Sequence, residues 1–71
     1  MHLNFDPTLE YEIAEAPSLD ALREVVKEML IHGWIPQGGV MLNNSPNTPV
    51  YFQALVRNEQ TRSAARRYNN S

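Results

Sequence analysis

The spacing of apolar residues changes along the chain, and each change marks an element. From Leu9 to Ala14, Leu9, Tyr11 and Ile13 alternate with Glu10, Glu12 and Ala14. That period of two predicts a strand with one apolar and one mainly acidic, solvated face. Further on, Leu22, Val25, Val26, Met29 and Leu30 fall on one helical stripe, with Arg23, Glu24, Lys27 and Glu28 on the other side. The helix starts at Pro17-Ser18-Leu19-Asp20, where Ser18 can cap free N–H groups and Asp20 suits the positive dipole end. It runs to about Ile31. Gly33 suits the left-handed position just past the end, and Trp34 follows where a large apolar residue packs back on the last turn, here near Met29. His32 places a favourable charge at the negative end of the dipole.

Trp34 to Leu42 reads as a second strand. Pro36 cannot donate to a ladder and Gly38-Gly39 weakens pairing, which assigns it to a sheet edge. The glycine pair either forms a bulge or lets another backbone or a ligand come close. Asn43 to Pro49 is rich in turn formers. Val50 to Arg57 has neither Pro nor Gly and is apolar over most of its length, the pattern of a strand buried on both faces. Val50, Phe52, Ala54 and Val56 point one way; Tyr51, Gln53, Leu55 and Arg57 point the other. Asn58 can cap a last helix from Glu59 to about Tyr68, with a thin apolar stripe of Ala64, Ala65 and Tyr68. Asn69-Asn70-Ser71 is expected to fray.

The order strand, helix, strand, strand, helix predicts an α+β fold. Its sheet is three-stranded and antiparallel, of split β-α-β-β type, with the third strand central. One helix covers one face. The other face, expected to carry Tyr51, Gln53 and Leu55 with Tyr11 or Met41, needs a cover: the C-terminal helix, another subunit, or both. Residues 1–7 form an N-terminal arm, 8–57 the β-α-β-β domain, and 58–71 a basic helix with its tail.

A length of 71 residues allows one domain with a marginal core, which favours a homo-oligomer. There is no Cys, so disulfides and thiolate metal sites are excluded. No apolar run approaches the ~18 residues of a membrane span. The start Met1-His2-Leu3-Asn4-Phe5 lacks the pattern of a secretion signal, so a cytoplasmic protein is expected. The net charge of -2 is unevenly placed: residues before Pro36 carry a net -5 and those from Pro36 onward a net +3. The basic end meets either an anionic partner or the acidic part of its own or a neighbouring subunit.

Catalytic patterns are missing from the sequence. His2 and His32 stand in no metal-ligand spacing, and no Ser lies in a nucleophile elbow. A non-enzyme without cofactor or metal is expected. Arg57, Arg62, Arg66 and Arg67 offer planar donor forks for phosphate or carboxylate. Tyr51, Phe52, Tyr68 and Trp34 offer stacking faces, and Asn43 and Asn44 offer groups that read a base or a hydroxyl. The candidate ligand-binding residues are therefore Arg57, Arg62, Arg66, Arg67, Tyr51, Gln53, Gly38, Gly39 and Tyr68. A sequence pI near 5.5 argues against broad nucleic-acid binding and for a small polyanion.

The run Ser18-Leu19-Asp20-Ala21-Leu22, Val26, Gly33-Trp34, Gln37-Gly38-Gly39-Val40, Tyr51 and Gln53-Ala54-Leu55-Val56 resembles a family of small domains of unknown function from bacteria and phages. The same small α/β pattern is similar to viral anti-defence proteins that inhibit Thoeris immunity. That resemblance implies a phage-type sponge: an oligomer that sequesters cyclic ADP-ribose-type messengers or cyclic oligonucleotides without cleaving them. Its arginines would grip phosphates, and aromatics at a subunit interface would stack on the base. A protein-interaction module and a weak RNA or DNA binder are the alternatives.

Overall fold

A computed structural model describes residues 8–44 and 47–69. The elements are β1 (Glu10–Ala16), α1 (Leu19–Ile31), β2 (Ile35–Asn44), β3 (Pro49–Arg57) and α2 (Glu59–Asn69). The strands form one antiparallel sheet in the order β1-β3-β2, with β3 central as its lack of breakers requires. The arm 1–7, Ser45-Pro46 of the turn, and Asn70-Ser71 of the tail lie outside the described residues. Asn43 and Asn44 are not turn residues: they continue β2 and pair with Val50 and Pro49.

α1 begins where Ser18 Oγ accepts the Ala21 N–H at 3.1 Å. It ends in a Schellman turn. The Gly33 N–H donates to Leu30 O at 3.1 Å and the Trp34 N–H donates to Met29 O at 3.1 Å. Gly33 has φ +92, a conformation that penalises any residue with a Cβ. Trp34 and Met29 both pack against the core, which fills the apolar clasp of this motif.

The core is small: Ala14, Ala16, Leu22 and Leu55 are its buried apolar residues, with Ala21, Val26, Met29, Trp34 and Tyr51 packed around them. Its position corrects the expected assignment of faces. α1 lies on the side of β3 that carries Tyr51, Gln53 and Leu55, and on the side of β1 that carries Ala14 and Ala16. The large residues Tyr11 and Ile13 face the other way, paired beside Val56 and Ala54, and are 62% and 48% exposed. The physical reason is approach distance. A helix can settle close to a sheet over two alanines, whereas Tyr and Ile there would hold it away. α1 thus covers one face, and the face of Tyr11, Ile13, Phe52 and Ala54 has no described element over it.

α2 starts with a reciprocal cap. The Thr61 N–H donates to Asn58 Oδ1 at 2.9 Å, and the Asn58 N–H donates to Thr61 Oγ1 at 3.0 Å. The helix lies against the end of α1: a Cβ on Gly33 would meet Thr61 O at 2.6 Å. It does not cross the open sheet face, where no α2 residue lines the hollow described below.

Candidate binding surface

The nine candidate residues fall in three places. Arg57 and Arg62 come together, but on a carboxylate. Arg57 is the cross-strand partner of Glu10 and grips it with both prongs, Nε to Oε1 at 3.1 Å and Nη2 to Oε2 at 2.9 Å. Arg62 Nη2 reaches the same Oε1 from α2. Arg57 Nη1 also donates to His32 O, the cap carbonyl of α1, at 3.2 Å. Its guanidinium lies 4.4 Å from the centre of the Trp34 ring, a cation–π distance. Glu10 therefore does not sit on a solvated face as expected. It ties β1, β3 and α2 together, and Arg57 adds the end of α1. Both arginines carry structural ion pairs.

Gln53, Gly38 and Gly39 meet at a bulge in β2. Gln37 pairs with Ala54 and Met41 with Phe52, so Gly38, Gly39 and Val40 all stand opposite Gln53 alone. The bulge takes backbone carbonyls out of the ladder, and these need donors. The Gln53 amide, on a residue only 6% exposed, supplies them: Nε2 donates to Gln37 O and Gly38 O, both at 3.2 Å, and to Ala54 O at 3.0 Å. Of the two readings of the glycine pair, the bulge is the one the strand register shows. Gly38 takes φ +70 and faces open space. Tyr51 lies two residues from Gln53 on the same side of β3 and packs against the core.

Arg66, Arg67 and Tyr68 are exposed on the last turns of α2. Among the described residues, no ion pair involves Arg66 or Arg67. They form the outward part of the basic end, since Arg57 and Arg62 are already matched by Glu10.

The bulge also shapes a feature that sequence reasoning missed. On the open sheet face, beside the bulge in β2, lies a hollow of about 630 Å³. Tyr11, Ile13, Met41, Phe52 and Ala54 line it, and the Gly38-Gly39 backbone forms one rim. The lining is mostly apolar, with Gln37 as its polar side chain, and contains no arginine. The alternation Leu9, Tyr11, Ile13 signals an apolar face of β1 but not which face of the sheet α1 covers. The chain matches no family model, no curated protein and no solved structure. Geometry and residue chemistry therefore carry the functional reading. No helix among the described residues is long and apolar enough to cross a membrane.

Proposed function

We propose that the chain is a non-catalytic binding module that works as a homo-oligomer. One observation carries this reading: the sheet is covered by α1 on one face only, and its other face presents Tyr11, Ile13, Ile35 and Met41 at 44–68% exposure. These four side chains expose on the order of 400 Å² of mostly apolar surface, the size of a monomer's largest patch, which is often an interaction site. The buried core, with Leu22 and Leu55 as its only fully buried large side chains among the described residues, is small for an independent unit. Light scattering at micromolar concentration tests the reading. It predicts a discrete assembly larger than 8.1 kDa; a mass of one chain at all concentrations overturns it.

A finer reading follows from the charge of α2. Arg66 and Arg67, exposed and outside any ion pair among the described residues, suit an anionic ligand held where subunits meet. With the resemblance to Thoeris anti-defence sponges, this supports capture of a cyclic ADP-ribose isomer or cyclic oligonucleotide without cleavage. The supporting set is narrower than the sequence suggested. Arg57, Arg62 and Gln53 have structural partners, while Arg66 and Arg67 are presented outward on α2. Incubation with these nucleotides, removal of free ligand and release by heating should return intact nucleotide. No retained nucleotide, or cleaved product, overturns this finer reading and leaves the oligomer standing.

A further inference from the structure

We infer that the open sheet face is the site of self-association, with a second copy packing its own open face against it as a two-fold, sheet-on-sheet pair. The inference rests on the homo-oligomer reading and adds the surface and the occupant. Sheets of one fold can join at an edge or at a face, and the edges here are blunted. β2 is an edge strand interrupted by Pro36 and by the bulge at Gly38-Gly39; both features break a ladder. On the β1 edge, the Ile13 N–H is taken by Glu12 Oε1 at 3.3 Å. Glu12 and Glu15 further charge that strand. A charged side chain on an edge opposes strand addition.

The face has the opposite character. The strand register places Tyr11, Ile13, Ile35, Met41, Phe52 and Val56 on it, with Gln37 and Asn43 as uncharged polar neighbours. Glu15, near the end of β1, is the charged residue that shares this side by register. A partner of opposite charge has nothing to recognise here, whereas an identical apolar face does. The shape agrees. Met41 and Tyr11, at 68% and 62% exposure, are among the residues that line the hollow. A two-fold operation presents the same protruding side chains to the facing hollow. Two such faces together bury on the order of 1,000 Å², close to the lower bound for a specific interface.

Single thiols test this directly, because the chain contains no Cys. Ile13→Cys and Met41→Cys place a thiol on the face, and Arg23→Cys places one on the exposed side of α1. Alkylation of the two face thiols should slow about fivefold as protein concentration rises to ten times the dissociation constant, where about a fifth of the chains remain free, while Arg23→Cys reacts at a constant rate. Met41→Glu should reduce the assembly to one chain with an unchanged far-UV spectrum, because Met41 is outside the core. A wild-type chain that is monomeric overturns both the homo-oligomer reading and this inference. A wild-type oligomer whose face thiols react as fast as Arg23→Cys, or which survives Met41→Glu, overturns the inference alone and assigns assembly to another surface.

Discussion

Alanine at the three glycines separates two physical costs that usually arrive together. Gly33 has both: φ +92, and a space so narrow that a Cβ would lie 2.6 Å from Thr61 O and 3.0 Å from Arg62 Cα. Gly38 has the left-handed φ of +70 but meets nothing within 4 Å. Gly39 has neither problem. The left-handed conformation costs a residue with a Cβ about 1–2 kcal/mol, and a forced shift of packed backbone adds about 1–3 kcal/mol. Alanine returns up to about 1 kcal/mol by restricting the unfolded chain. Gly33→Ala should therefore cost about 2–4 kcal/mol, Gly38→Ala about 1 kcal/mol or less, and Gly39→Ala about nothing. For a chain of this length the total stability is on the order of 4–10 kcal/mol, so the first change is severe and the others mild. Urea unfolding at one fixed protein concentration reads this. With a slope near 1 kcal/mol/M, the midpoint should fall by about 2–4 M for Gly33→Ala. Trp34 fluorescence and far-UV circular dichroism should be followed together, since Trp34 sits on the affected turn. Equal midpoints for Gly33→Ala and Gly38→Ala would refute the close approach of α2 to the end of α1.

Other substitutions probe the remaining parts of the account. A double-mutant cycle on Glu10→Gln and Arg57→Ala should give a coupling of about 1–2 kcal/mol, as expected for a half-buried bidentate pair; additive effects in urea unfolding would contradict the hub. Gln53→Ala leaves the Gln37 and Gly38 carbonyls without their side-chain donor and should cost about 1–3 kcal/mol, with faster amide hydrogen exchange confined to the bulge and its neighbours. Arg66→Glu with Arg67→Glu should shift stability by less than about 0.5 kcal/mol while abolishing retention of an anionic nucleotide in a filter assay; retention at the wild-type level would remove these arginines from the ligand reading.

Much of the fold was legible because its punctuation is local. Ser18, Gly33 and Trp34 specify a helix start and stop from neighbouring residues alone, and Pro36 with Gly38-Gly39 marks an edge strand. Asn58 as a cap and the central place of β3 follow from equally local or topological rules. Which face the helix takes was not legible, because both faces of β3 are apolar. The decision rests on Ala14 and Ala16, whose small size admits the helix, and small size reads weakly beside Tyr11 and Ile13. Which carboxylate two of the arginines meet was not legible for a related reason. Their partner Glu10 lies 47 residues from Arg57, and no periodicity links residues so far apart. Gln53 looked like a polar reader in an apolar strand. Its task, satisfying the carbonyls of the bulge, is visible only once the strand opposite is in register.

The central claim is that this one-sided sheet is completed by further copies of the same chain. Native mass spectrometry of the full chain tests it most directly, because one spectrum gives stoichiometry and any bound small molecule. The account predicts a discrete multiple of 8.1 kDa that collapses to a single chain on Met41→Glu. A wild-type spectrum of single chains at every concentration would contradict it.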